Sequence, residues 1–99
     1  MTLATLAAAK LQIHVSDPAR DSEITLLLSQ ASAIVYDYIG ERADPDWTEI
    51  TAPAVVQAAT LYTLGHLWEH RGDDTGADDE TFWAGLSLRL RRTRDEAFA

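Results

Sequence analysis

The stretch Thr51–Gly72 reads TAPAVVQAATLYTLGHLWEHRG and predicts a helix with little polar surface. Pro53 is expected to open this helix, because proline has a preset φ angle and needs no backbone donor there, and Gly72 can adopt the left-handed turn that closes it. The clearly polar side chains before Glu69 are Gln57, Thr60, Thr63 and His66. At about 100° per residue these four spread around the helix, so apolar surface faces several directions. Such a helix needs neighbours on most sides, and we expect some of them to belong to other subunits.

The connector before this helix, residues 40–52, contains Pro45 and one large apolar side chain, Trp47. A loop tryptophan most often folds back as a lid over the core, and a contact with another subunit is the less common alternative. The residues predicted for a subunit interface are Trp47, Val56, Leu64 and Trp68.

The rest of the chain predicts three more helices and no strand, so the fold class is all-α. A short first helix covers about Leu3 to Leu11. The second is clearly amphipathic, with Asp21 or Ser22 as its N-cap and Gly40 at its end. An acidic turn, GDDTGADDE, leads to a fourth helix that Asp78 or Asp79 can cap. Its inward stripe is predicted to be Phe82, Trp83, Leu86 and Leu90.

Length and composition narrow the class of protein. A chain of 99 residues makes one domain, residues 1–99, with a modest core. It has no cysteine, which excludes disulfides and thiolate chemistry and favours an intracellular protein. The N-terminal stretch has no basic region, and no apolar run approaches the ~18 residues that span a bilayer. A soluble protein without a targeting segment is expected.

The charge is negative and uneven. Residues 1–88 carry four basic and fourteen acidic side chains, a formal charge of −10, whereas residues 89–99 carry four basic and two acidic ones, +2. Nucleic-acid binding depends on clustered Lys and Arg, so the negative body argues against a DNA clamp. Two surfaces with different partners, or simply a solvated helix face, both fit this distribution.

Catalytic and metal motifs are weak. His66, Glu69 and His70 spell H-x-x-E-H, a zinc-protease pattern, but a catalytic zinc needs a third ligand and a cleft that the remaining chain hardly supplies. The structural alternative places His66 near the core and the others at the polar end of the helix. The acidic turn lacks the alternating ligands of a calcium loop. The sequence therefore predicts neither an enzyme nor a cofactor.

One basic cluster remains, in the segment 89–99. Guanidinium groups bind carboxylates and phosphates in bidentate fashion, and this acidic chain would repel DNA, so we favour docking on an acidic protein surface over DNA reading. The alternative is that the arginines offset the acidic body and the negative end of their own helix. The candidate docking residues are Arg89, Arg91, Arg92, Arg94 and Phe98.

The order of these features resembles that of the small head–tail connector, or adaptor, proteins of tailed bacteriophages, prophages and gene transfer agents. The resemblance rests on four segments spread over nearly the whole chain. They are Leu11-Gln12-Ile13 after the short helix, Tyr38-Ile39-Gly40 at the end of the long one, His66 to Arg71, and the tail Leu90 to Ala99. Each segment is degenerate alone, and their order and spacing carry the likeness.

This resemblance implies an all-helical subunit that assembles into a ring, with a dodecamer expected, beneath the portal at the capsid vertex. The ring joins the head to the next connector or tail-completion protein, and DNA passes through the lumen without specific binding. The particle neck would be its location, after assembly in the bacterial cytoplasm. Segment 89–99 would dock on the portal. The acidic face, predicted on the lumen or against the next connector, comprises Asp73, Asp74, Asp78, Asp79 and Glu80.

A second class of function also fits a short, cysteine-free helical chain: a small acidic regulatory or antitoxin-like interaction protein. Such a protein is expected to carry a recognition helix or basic arm on a stable dimer, whereas the basic cluster here is terminal. Ring-shaped particles or high-order oligomers would separate the two.

Overall fold

The computed structural model describes residues 2–69 and 80–95, without the side chains of Arg42 and residues 91–95. Four α-helices follow in order: α1 (Leu6–Gln12), α2 (Asp21–Ile39), α3 (Ala54–Glu69) and α4 (Glu80–Asp95). Single turns of 3₁₀-helix precede and follow α2, at Pro18–Arg20 and Gly40–Arg42. The described ranges contain no strand, so the prediction of an all-α chain with four helices is confirmed.

The first helix starts later than the sequence predicted. The Thr5 side chain caps it and accepts a hydrogen bond from the Ala8 N–H at 3.1 Å. Leu3, predicted as the first helical residue, instead lies in a bend before α1 and is fully buried. Its backbone N–H donates to the Ser32 hydroxyl at 3.0 Å, and this bond ties the segment before α1 to α2.

The end of α2 was predicted correctly and its start was not. Gly40 follows the last helical residue with φ of 72°, a conformation that favours glycine. At the start, neither Asp21 nor Ser22 caps the helix, because Arg20 occupies the cap position without a side-chain bond. The Asp17 carboxylate caps the preceding 3₁₀ turn, accepting from the Ala19 N–H at 2.9 Å. That turn runs directly into α2, so the capping interaction lies one turn earlier.

Polar residues of α3 lie inside the molecule. Thr60 and Thr63 are fully buried, and their hydroxyls donate to the carbonyls of Val56 and Ala59 at 2.9 Å, which satisfies them without a partner outside the helix. Helices α1, α2 and α4 all contact α3. The chain thus supplies neighbours on several sides of its own third helix, while Val55 stays 42% exposed.

The core divides into two clusters. The α4 cluster joins the later part of α2, the first half of α3 and the length of α4, together with Leu3 and Ala52. Its buried members are Leu3, Val35, Ile39, Ala52, Val56, Ala59, Phe82, Leu86 and Leu90. The α1 cluster joins α1 to the first part of α2 and the second half of α3. Its buried members are Ala4, Ala9, Ile24, Leu28, Ala31 and Leu64.

The burial of individual side chains corrects three sequence predictions. Val56 and Leu64, predicted at a subunit interface, are fully buried in the chain's own core, because they lie on the faces of α3 that α4 and α1 cover. Trp83, predicted to point inward with Phe82, is 39% exposed, because Phe82, Leu86 and Leu90 already fill the inward stripe of α4. Among the described helices, none is long and apolar enough to cross a membrane.

Candidate interaction surfaces

Arg89, the first residue of the predicted basic cluster, is bound within the chain. Its guanidinium carbon lies 3.9 Å from the ring centroid of Tyr62, and a guanidinium nitrogen donates to the Gly85 carbonyl at 3.0 Å. A cation over an aromatic face is attracted by the quadrupole of the ring, whose faces are electron-rich. Arg89 therefore ties α4 to α3, although its side chain is exposed on the other side.

Tyr62, against which Arg89 packs, belongs to a group of rings between α3 and α4 that the sequence prediction missed. The rings of Tyr62 and Phe82 stack with centroids 5.6 Å apart, His66 stacks on Phe82 at 4.2 Å, and Trp83 meets Phe82 edge-on at 4.9 Å. Tyr62 also donates its hydroxyl to the Phe82 carbonyl at 3.3 Å. The only signal in the sequence was the four-residue spacing of Tyr62 and His66, which places both on one face of α3.

His66 is thus a packing residue, as the structural alternative predicted. It lines a small cleft between α3 and α4 of about 290 Å³, with Glu69 and Thr81 also in the wall. In the part of the chain that the structure describes, no three metal-ligating side chains converge. His70, the third member of the H-x-x-E-H pattern, lies outside the described residues.

Trp47 and Trp68, the other two residues predicted at a subunit interface, are half-buried. Trp47 packs against the α4 cluster and its ring lies 6.2 Å from that of Tyr36, which confirms the expected lid. Trp68 packs against the α1 cluster, with the Arg20 guanidinium 5.6 Å from its ring. Both keep an exposed edge, so a contact with another subunit stays a prediction for them.

Much of the predicted acidic face and docking segment lies outside the described residues. Glu80 is the first residue of α4 and is exposed. Arg91, Arg92 and Arg94 fall within the described backbone of α4, with no side-chain description. The predicted site residues that lie wholly outside are Asp73, Asp74, Asp78, Asp79 and Phe98.

The structure adds a feature that the sequence analysis did not single out: large aliphatic side chains exposed on four separate elements. The exposed fraction is 77% for Leu11 on α1, 60% for Leu26 on α2, 78% for Ile50 in the connector and 75% for Leu88 on α4. Leu88 was predictable, because it is two positions along the helix from both Leu86 and Leu90, and the corresponding rotation of about 200° points it away from them. The others depend on tertiary packing.

Leu11 and Leu26 lie on either side of one ion pair. The Lys10 ammonium contacts the Asp21 carboxylate at 2.7 Å. Lys10 and Leu11 line one shallow depression, and Asp21 and Leu26 line the next. The ion pair therefore joins α1 to α2, and each leucine lines its own depression beside one of the paired residues.

No protein-family model, no curated protein and no solved structure matches this chain.

Proposed function

We propose that this chain is a head–tail connector subunit of a tailed phage, prophage or gene transfer agent. Copies form a ring, expected to be a dodecamer, beneath the portal. The ring joins the DNA-filled head to the next connector or tail-completion protein. DNA passes through the lumen without specific binding.

The observation that carries the proposal is the separation of the exposed aliphatic side chains. A two-fold dimer uses one self-complementary surface, whereas a ring built from head-to-tail contacts needs two different surfaces on each subunit. A connector needs further surfaces for the proteins above and below it. Leu11, Leu26, Ile50 and Leu88 place exposed apolar groups on four separate elements, and these are our candidates for such surfaces.

Charge supports the same function. A formal charge of −8 repels phosphates, so a lumen lined by such subunits lets DNA slide rather than bind. The acidic turn before α4, which ends at Glu80, is our candidate for the lumen or for the next connector. The basic segment 89–99 is our candidate for portal docking, with the ring multiplying contacts that are weak one by one.

The test is a null mutation in the encoding phage or prophage, with the wild-type gene supplied in trans as control. We expect electron micrographs of the mutant to show heads that leak DNA or lack tails, beside free tails, and the complemented strain to show complete particles. A regulator would instead change the number of all particle components together. Complete, infectious particles from the mutant would overturn the proposal.

Deletion of residues 95–99 tests the docking segment by itself. We expect the truncated subunit to keep its circular dichroism spectrum and melting temperature, because Phe82, Leu86 and Leu90, which α4 buries in the core, all precede the deletion. Particles assembled with it should show the head–tail joining defect of the null mutant. Normal particles from the truncation would remove portal docking from this segment.

A further inference from the structure

The N-terminal segment, residues 2–12, is built as an arm that docks on the rest of the domain. Leu3 inserts into the α4 cluster and donates its N–H to the Ser32 hydroxyl at 3.0 Å, and Ala9 packs in the α1 cluster. The Lys10 ammonium contacts the Asp21 carboxylate at 2.7 Å. A seven-residue helix is not stable alone, so α1 stays helical only while it is docked.

The turn that joins this arm to α2, residues 13–17, is short and strained. The N–H groups of His14 and Val15 donate to the carbonyls of Leu11 at 3.4 Å and Lys10 at 3.0 Å, a helix ending that usually places glycine at the left-handed position. His14 occupies that position with φ of 59°. Its Cβ atom disfavours the folded-back turn by roughly 5- to 30-fold relative to an unstrained one.

The chain after His14 can open without uncovering much of the core. Residues 16–20 are all exposed. Asp17 is extended, with φ of −71° and ψ of 118°, and the proline that follows it keeps α1 and α2 from joining into one helix. An opened turn is therefore extended, and its five residues span roughly 17 Å. That length reaches a copy that lies directly alongside and no further.

We infer that the N-terminal arm of one copy docks on the body of the next, in place of that copy's own arm. A second copy is the occupant because it presents the same Asp21, the same Ser32 and the same two clusters, so the exchange keeps these contacts and releases the strain at His14. Exchange of an identical element is a low-cost route to association, and a short strained hinge favours it.

The exchange depends on how close the copies are. A chain's own arm competes at an effective concentration of about millimolar, so a dilute chain keeps its own arm. Copies held side by side, as in the proposed ring, present the neighbouring body at a comparable concentration, and the strained turn then favours exchange. The inference thus deepens the proposed function and rests on it for the ring, whereas exchange in a concentrated solution needs only a second copy.

The chain carries its own cross-linking pair for a test. Lys10 is its only lysine, and the 2.7 Å contact with Asp21 lets a water-soluble carbodiimide join the two side chains as an amide. Trypsin cuts after Arg20, between the two partners. The linked product therefore consists of residues 1–20 joined to residues 21–42, whether the two halves come from one chain or from two.

Isotope mixing distinguishes these origins. Heavy-nitrogen-labelled and unlabelled wild-type chains are unfolded together in urea, refolded, treated with the carbodiimide and digested for mass spectrometry. Refolding at micromolar concentration should give products with one isotope in both halves. Refolding above millimolar concentration should give mixed products that approach the single-isotope ones in total. Lys10→Arg keeps the charge and should abolish the product. Absence of mixed products at both concentrations would overturn the inference.

Variants of the turn separate exchange from a contact between intact subunits. Insertion of Gly-Ser-Gly-Ser after Ser16 keeps both docking surfaces and relaxes the turn, so the mixed products should fall toward their micromolar level. His14→Gly should lower the ratio of mixed to single-isotope products by up to about fivefold, and His14→Ala, which keeps a Cβ atom, should leave it unchanged. Mixed products that persist undiminished in the insertion and glycine variants would overturn the exchange.

The same cross-link separates this inference from the proposed function. Rings of wild-type chain whose Lys10–Asp21 products all lie within one chain would overturn the exchange and leave the connector proposal standing. Complete, infectious particles from the null mutant, together with mixed products from the concentrated chain, would overturn the connector proposal and leave the exchange standing.

Discussion

The two core clusters hold their helices by different means. The α4 cluster contains six large aliphatic or aromatic side chains that reach from α2, α3 and α4, with Phe82 stacked between other rings. Half of the buried residues in the α1 cluster are alanines, namely Ala4, Ala9 and Ala31. Large side chains stabilise by the area they bury, whereas alanines contribute little area and let a helix approach closely.

This difference explains how α1 forms at all. A seven-residue helix is too short to be stable alone, so its helical state depends on packing. Alanines on α1 and α2 bring it close, the Lys10–Asp21 ion pair joins the two helices, and the hydrogen bond from Leu3 to Ser32 anchors the segment before α1 to α2. We therefore expect the α4 cluster to set the global stability of the domain and the α1 cluster to set whether α1 stays attached.

The largest effect is expected from Leu86→Ala in the α4 cluster. Leu86 is fully buried, and removing its side chain should lower the free energy of unfolding by about 2–5 kcal/mol through lost burial and a cavity. Leu88→Ala is the matched control on the same helix, and its effect on the folded single chain should stay within about 0.5 kcal/mol. Urea unfolding of the unassembled chain measures both. Equal losses in the two variants would show that α4 does not pack as described.

That pair also shows what the sequence could predict. The spacing of Phe82, Leu86 and Leu90 placed the inward stripe correctly, because three- and four-residue periodicity reflects helix geometry alone. Gly40 was identified as a helix end for a similarly local reason, since few residues other than glycine adopt its φ of 72°. All four helices were expected, and each observed helix lies where a predicted one does.

The sequence predictions that were wrong concern which part of the molecule a given side chain packs against. Periodicity showed that α3 has apolar surface on several sides, but it could not tell whether Val56 and Leu64 meet another copy or another helix of the same chain; the structure places both in the chain's own core. The start of α2 was missed because a 3₁₀ turn leads into it and Asp17 caps that turn instead. The exposure of Leu11, Leu26 and Ile50 depends on tertiary contacts in the same way.

A second prediction concerns the junction of the two clusters. The buried Ser32 hydroxyl accepts from the Leu3 N–H at 3.0 Å and donates to the Leu28 carbonyl at 2.8 Å. Ser32→Ala leaves a buried N–H without a partner and should cost about 1–3 kcal/mol. Hydrogen exchange should show α1 opening more often while the amides of α4 stay protected to the global limit.

Ser29→Ala on the same helix is the control for this change, because Ser29 is partly exposed. It should leave both the stability and the exchange pattern nearly unchanged. If Ser32→Ala instead accelerated exchange in all helices equally, the two clusters would unfold as one unit and the comparison drawn above would fail.

A third prediction sharpens the account of the α4 cluster. Gly85 faces Tyr62 so closely that a Cβ atom would overlap the tyrosine hydroxyl and lie 2.8 Å from the ring carbon that bears it. Gly85→Ala should therefore cost about 1–3 kcal/mol, the usual range for overpacking, although alanine is the better helix former. In a Tyr62→Ala background the clash is absent, so the same substitution should be neutral or stabilise the chain by up to about 1 kcal/mol. A double-mutant cycle measures the difference, and additive effects would show that Tyr62 does not cross α4 at this glycine.

The smallest effect is expected at the end of α1. His14 is exposed and has φ of 59°, a left-handed conformation that costs residues with a Cβ atom roughly 1–2 kcal/mol. His14→Gly removes that strain, while the greater freedom of glycine in the unfolded chain offsets part of the gain, so we expect stabilisation of at most about 1 kcal/mol. His14→Ala keeps a Cβ atom and serves as the control, with no gain expected. If α1 is the more easily detached part of the domain, His14→Gly should slow hydrogen exchange in α1 more than it raises the urea midpoint of the whole chain. Equal changes in the two measurements would instead tie α1 to the global unfolding that the α4 cluster governs.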